Sequence, residues 1–346
     1  MTRFSKYLPL MFVLALAIAL SSNGLALAQA QPQFISAYQD GDLPVADPLS
    51  AAWDSVPVYT ASVTPQSAIK PTLFQATISS IDVQSLNNGK DIVFRLVWTD
   101  ETQDLHATKP DEFRDAAALQ FSVQDLDAEQ TQKILCMGAA GQLTNLWHWK
   151  ADWQYDVDEG FFDVVDAYPN FWLDHYPFVV GEPPFRLPTD FNSDSAKRYL
   201  IGWSAGNPLS DPARVTPVED LNAYGFGTVT SQANQDLLGR GVWQDGKWYV
   251  VFSRSLTDND AADIQFTTDR SFSIAFAAWD GSDQQVGARK QLSTWTTMLL
   301  ETKEGIAGPA KKILGLPIGA AIAVGVVVVL VILGGVLLVM RRRKAA

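Results

Sequence analysis

The chain has 346 residues, 47% of them hydrophobic and 18% charged, a balance that excludes a disordered or collagen-like polymer and leaves room for a sizeable buried core. One cysteine, Cys136, excludes an internal disulfide, a multi-cysteine zinc site, a thiolate-held iron–sulfur cluster and a two-cysteine haem attachment. A net charge of −12, from 38 acidic and 26 basic side chains, argues against nucleic-acid binding through a broad basic face. Every acidic residue lies within 31–312, whereas Arg3, Lys6, Arg341, Arg342, Arg343 and Lys344 lie outside that interval, which is therefore more acidic than the chain as a whole.

Residues 1–30 read as an export signal. Arg3 and Lys6 precede the apolar run 8–20, and Ala28-Gln29-Ala30 supplies a small-x-small cleavage site before Gln31. The run is shorter than the roughly 20 residues that span a bilayer, which disfavours an uncleaved anchor.

Residues 31–312 read as an all-β ectodomain, an antiparallel sandwich. Stretches 73–81, 92–98, 118–123, 248–254, 272–278 and 294–300 alternate or run apolar with β-branched and aromatic residues. Asn87-Asn88-Gly89, Asp245-Gly246 and Asp280-Gly281 are turn signals between them, and long helical periodicity is scarce. Asp245-Gly246 between Trp243 and Trp248 predicts a hairpin.

Residues 150–215 interrupt this rhythm with Pro169, Pro177, Pro183, Pro184 and Pro188, and read as a long loop excursion. Asp152, Asp156, Asp158, Glu159, Asp163, Asp166, Asp174 and Glu182 fall between Lys150 and Arg186 with no base among them. No EF-hand spacing is present, so a solvated acidic surface, able to steer a basic partner, is the expected use.

The span 313–340 contains no charged residue and ends at Arg341-Arg342-Arg343-Lys344, the pattern of a transmembrane helix. The positive-inside rule leaves residues 341–346 as a cytoplasmic tail and the ectodomain on the outer face of the cell membrane. Gly315 and Gly319, like Ala321 and Gly325, are four apart and would let another helix approach, although glycine is common in such spans.

Signatures of catalysis are missing: there is no Gly-x-Ser-x-Gly elbow, no phosphate-binding glycine loop and no His-Glu-x-x-His helix. His106, His148 and His175 are widely separated in sequence. The most unusual stretch runs from Cys136-Met137-Gly138 to Trp147-His148-Trp149-Lys150-Ala151-Asp152-Trp153. Its tryptophans could fill a core, wall a cofactor pocket or stack on a sugar.

Several blocks in order carry a family resemblance. They are Phe94-Arg95-Leu96-Val97-Trp98-Thr99-Asp100, Cys136-Met137-Gly138, Trp147-His148-Trp149-Lys150-Ala151-Asp152, Ala205-Gly206-Asn207-Pro208, Ala223-Tyr224-Gly225-Phe226-Gly227-Thr228, Gly241-Val242-Trp243-Gln244-Asp245-Gly246-Lys247-Trp248, Phe252-Ser253-Arg254-Ser255-Leu256 and Lys290-Gln291-Leu292-Ser293-Thr294-Trp295. Together they resemble the haem b-binding gamma subunits of type II dimethyl sulfoxide reductase superfamily molybdoenzymes, such as ethylbenzene dehydrogenase, dimethyl sulfide dehydrogenase, selenate reductase and chlorate reductase.

The resemblance implies a sandwich of the kind shared with DOMON and family-9 carbohydrate-binding modules, holding one non-covalent haem b between a methionine and a lysine. Carried over by position, Met137 and Lys290 are the axial ligands, with Trp147, His148 and Trp149 near the cofactor. A soft thioether suits electron transfer, and a lysine ligates iron only as the unprotonated amine. Cys136 could replace Met137. Arg289, one register step from Lys290, does not give up its proton. His148 is the stronger intrinsic ligand and the main rival.

Also implied are an iron–sulfur subunit, a molybdopterin catalytic subunit and an external carrier such as a c-type cytochrome, with no catalysis by this chain. A membrane anchor departs from the soluble gamma subunits typical of the family. The alternative reading is a cell-surface carbohydrate-binding module with Trp147 and Trp149 as sugar platforms.

Overall fold

The computed structural model describes residues 33–67, 70–126, 128–134, 137–168, 170, 190, 192–307, 312–313 and 316–317. The expected signal, Cys136, His175 and the bulk of the expected membrane span lie outside these residues.

In chain order the strands are β1 (Gln33–Tyr38), β2 (Tyr59–Pro65), β3 (Ser80–Asn87), β4 (Asp91–Thr99), β5 (Ala116–Ser122), β6 (Thr144–Lys150), β7 (Val218–Ala223), β8 (Thr230–Ser231), β9 (Leu238–Gln244), β10 (Lys247–Ser255), β11 (Phe272–Trp279), β12 (Gln291–Ser293), β13 (Thr296–Thr302), β14 (Gly305–Ile306), β15 (Lys312–Ile313) and β16 (Leu316–Pro317). Antiparallel pairing builds one layer in the order β2-β3-β4-β10-β9. A second layer runs β13-β11-β5-β6-β7-β8, with β12 also on β11. β1 ties the layers together, lying parallel to β13 over residues 33–36 and to β3 over 37–38. β12 adds a second tie through its pairing with β2.

Alternation along each strand explains why the layers pack. Ile92, Phe94, Leu96 and Trp98 of β4 and Trp248, Val250 and Phe252 of β10 point inward, as do Ala117, Leu119 and Phe121 of β5, Trp147 and Trp149 of β6, and Phe272, Ile274, Phe276 and Ala278 of β11. Ring centroids of Phe121 and Trp147 lie 4.9 Å apart, and those of Trp149 and Trp248 4.7 Å apart. On the outer face of the first layer, Trp53, Val56 and Leu43 cover Val93, Leu86 and Val251.

The sandwich agrees with the sequence expectation, and so does the β9–β10 hairpin, whose turn residues Asp245 and Gly246 both have positive φ, 51° and 72°. Residues 71–79 are irregular, however, and the strand expected over 73–81 starts only at Ser80. Leu73 and Ile78 are buried there but Phe74 is 86% exposed, so the run lacks the alternation of a paired strand.

The excursion between β6 and β7 carries short helices, α2 (Ala151–Glu159), α3 (Val164–Ala167), α4 (Asp194–Tyr199) and α5 (Ile201–Ser204), following α1 (Ala128–Lys133) earlier in the chain. Helix α2 occupies the proline-free start of the excursion and stops at Gly160, whose φ of 101° suits glycine. Its acids are not simply solvated: Asp152 pairs with Arg114 at 2.7 Å, Asp156 with Arg214 at 3.2 Å and Asp158 with Arg240 at 3.0 Å. The bases missing from residues 151–185 are supplied from flanking segments.

At the C-terminus, β15 and β16 pair with each other. No helix among the described residues is long and apolar enough to cross a membrane, and residues 318–340 lie outside them.

Candidate functional site

The outer face of the second layer is floored by small side chains. Ala118 of β5 stands opposite Ala277 of β11, and Ala275 opposite Gln120, all on the face away from the core. Around this floor a cleft is lined by Met137, Lys290, Trp279, Leu146, Leu292, Gln66 and Gln120. Two residues 153 positions apart in sequence, Met137 and Lys290, thus share one cleft.

Met137 follows α1 in a turn and has a φ of 70°, a left-handed conformation that costs a non-glycine residue about 1–3 kcal/mol and concentrates at functional sites. The turn is held from both sides. The Gly138 amide donates to the Ile134 carbonyl at 2.9 Å, and the Gly225 amide donates to the Met137 carbonyl at 2.8 Å. Gly138 has a φ of 86°, and a Cβ there would sit 2.7 Å from the Ala223 carbonyl oxygen, so the turn tolerates only glycine. The half-buried Met137 side chain packs on Leu146, Leu221 and Ala223.

Lys290 sits just before β12, where the Gln66 amide donates to its carbonyl at 2.8 Å. It is buried, and its Nζ lies 4.8 Å from the centre of the Trp279 ring. Trp279 is itself fixed by its indole N–H, which donates to the Gly287 carbonyl at 2.9 Å. Arg289 pairs instead with Asp283 at 3.2 Å. Of the two neighbouring bases, Lys290 lines the cleft and Arg289 does not.

His148 shares the outer face of β6 and leans on the far side of the same wall, its ring 4.9 Å from Trp279. It lines a neighbouring cleft with Arg114, Phe113 and Gln285, not the one containing Met137 and Lys290. Its buried Nε2 has no hydrogen-bond partner among the described residues. Burial, with Lys150, Arg114 and Lys290 as positive neighbours, holds its pKa well below the ordinary histidine value, so the imidazole is neutral.

Trp147 and Trp149 occupy the opposite face of β6 and are fully buried in the core. Neither lines the Met137–Lys290 cleft, and neither can offer a face to a sugar. His106 lies elsewhere, its ring 4.1 Å from that of Phe162. Sequence reasoning missed Trp279 and the alanine floor. The signal lay in β11, where the small Ala275 and Ala277 alternate with the core residues Ile274 and Phe276.

A thioether and an amine in one cleft, over small alanine side chains, are a donor set whose chemistry suits haem iron. The cleft encloses about 30 Å³, room for little more than a water. Seating a macrocycle therefore calls for movement of Met137, Lys290, Gln66 and Gln120, all long side chains with rotatable bonds.

Comparison with known proteins bears on this arrangement. The ethylbenzene dehydrogenase family model matches residues 50–291. The chain belongs to the ethylbenzene dehydrogenase family. The matched span includes Met137, His148 and Lys290. A proposed respiratory nitrate reductase heme subunit of Haloferax mediterranei is 25% identical over 82% of this chain and 79% of its own length. The chlorate reductase gamma subunit of Ideonella dechloratans is 25% identical over 80% of this chain and 90% of its own length. These relatives agree with the gamma-subunit resemblance drawn from the sequence blocks. Among solved structures, a family-9 carbohydrate-binding module of Caldicellulosiruptor kristjanssonii in complex with glucose aligns over 82% of this chain and all of its own, at 7% identity and a TM-score of 0.34.

Proposed function

We propose that this member of the ethylbenzene dehydrogenase family is a haem b electron-transfer subunit of an exported molybdenum oxidoreductase, with Met137 and Lys290 as the axial ligands. The observation that carries the reading is their meeting in one cleft, with Met137 held at a left-handed φ by a glycine-closed turn. The bound haem would supply a single-electron relay, because two protein ligands leave the iron no position for substrate.

The chain's own residues do the rest. The outer faces of β5 and β11 present Ala118, Ala275 and Ala277 as a flat seat. Trp279 contacts both the Lys290 amine and the His148 ring. His148, which lines the neighbouring cleft, would not hold the iron. Catalysis belongs to a molybdopterin partner chain. Electrons pass through an iron–sulfur partner, which the single cysteine of this chain cannot replace. The other exchange partner is an external carrier such as a c-type cytochrome. An export signal and a tail helix over 313–340 would hold the domain on the outer face of the cell membrane.

The test is a reduced-minus-oxidised visible spectrum of the full chain produced with haem available, compared with Met137→Ala, Lys290→Ala and His148→Ala. A low-spin b-type spectrum that the first two substitutions shift toward high spin, and the third leaves unchanged, supports the reading. A shift confined to His148→Ala would make histidine the ligand.

A further inference from the structure

Just past Trp279, at the end of β11, stands a group of buried acids. We propose that Asp100, Asp115 and Asp280 form a binding site for a hard divalent cation of the calcium class, which ties the two layers of the sandwich together. Asp100 directly follows β4 of the first layer, while Asp115 directly precedes β5 and Asp280 directly follows β11 of the second. Carboxylate oxygens from all three lie within 4.8 Å of one another, and all three residues are buried.

Their hydrogen bonds orient them without neutralising them. Asp115 accepts the amides of Gly281 and Asp104, each at 2.8 Å, and the Trp248 indole N–H at 3.0 Å. Asp280 Oδ1 accepts the Ser282 hydroxyl at 2.7 Å, and Asp100 Oδ1 accepts the Thr102 amide at 3.2 Å. Asp100 is 6% exposed, and its Oδ2 is buried with no hydrogen-bond partner among the described residues. Asp100 and Asp280 together border an open cleft of about 540 Å³, also lined by Thr99, Glu101, Thr102 and Ser282.

A second acid trio in the same domain shows what is missing at the first. In the trio Asp220, Asp236 and Asp263, the Arg254 guanidinium reaches Asp263 at 3.2 Å and Asp220 at 4.0 Å. No lysine, arginine or histidine pairs with Asp100, Asp115 or Asp280 among the described residues. Three carboxylates at this separation and burial repel strongly unless protons or a cation intervene. The donors are all hard oxygens, and the cleft admits water to complete the six to eight oxygens that calcium accepts, a count and flexibility that magnesium tolerates less well.

The experiment uses the purified full-length chain, stripped with EDTA and dialysed. Terbium is titrated in while tryptophan-sensitised luminescence is read, and calcium is then added as competitor. Melting is followed in parallel with EDTA and with millimolar calcium. The expected result is one saturable terbium site displaced by calcium and a melting temperature several degrees higher in calcium. Both responses are lost in Asp280→Asn and kept in Asp236→Asn. No saturable terbium signal, together with identical melting in calcium and EDTA, overturns the site on the wild-type chain alone, whatever the variants do. Loss in Asp236→Asn with retention in Asp280→Asn also overturns it, by moving the ion to the other trio.

Discussion

Met137 adopts a backbone conformation that a methionine enters only at a cost, in a turn whose hydrogen bonds come from the backbone and not from its side chain. Replacing it by glycine removes that strain and a modest apolar contact together. Met137→Gly is therefore expected to change the stability of the haem-free chain by no more than about 1 kcal/mol, read by urea unfolding, while abolishing low-spin haem binding. Asp220 shows a different residue-scale effect. Burial and the neighbouring Asp263 carboxylate push it up to about 8. An acid whose pKa is raised on folding binds more protons folded than unfolded, so stability falls as pH rises from about 4 through about 8. Asp220→Asn should flatten that fall, measured as the urea midpoint at several pH values. An unchanged slope would mean that Asp220 does not titrate in this range.

Strands β5, β6 and β11 carry the core on one face and the candidate site on the other, so mutations on the two faces should separate stability from binding. Ala277→Phe fills the cleft floor without touching the core. Haem uptake should be lost while far-ultraviolet circular dichroism and melting stay close to wild type. Inward changes act differently. Trp147→Ala removes a fully buried ring and should cost about 3–5 kcal/mol of stability, with no specific effect on any glycan. A Cβ on Gly241 of β9 would sit 2.3 Å from the Trp149 ring. Gly241→Ala should therefore destabilise by about 1–3 kcal/mol in the same unfolding assay. A neutral Gly241→Ala would contradict the close packing of β9 on β6.

For the whole molecule, the sandwich was legible where alternation was strong, as in β4, β10 and β11. It was obscured in β6, whose Trp147, His148 and Trp149 drew attention as a chemical motif when their spacing is that of a strand with tryptophans inward and histidine outward. The helices of the excursion were hidden by its prolines, since Pro169 and those after it follow the end of α3. Met137 and Lys290 were legible only through family resemblance. No local pattern tells that a turn after α1 and the start of β12 meet across β5 and β11, because that is a property of the long-range register. Trp279 and the buried acids escaped for the same reason.

The measurement that tests the central claim most directly is the visible spectrum of the haem-loaded full-length chain beside its Met137→Ala and Lys290→Ala variants. The account predicts a sharp low-spin b-type spectrum that each substitution converts toward high spin in a chain that remains folded. A folded wild-type chain that takes up no haem, or low-spin character that survives both substitutions, would contradict it.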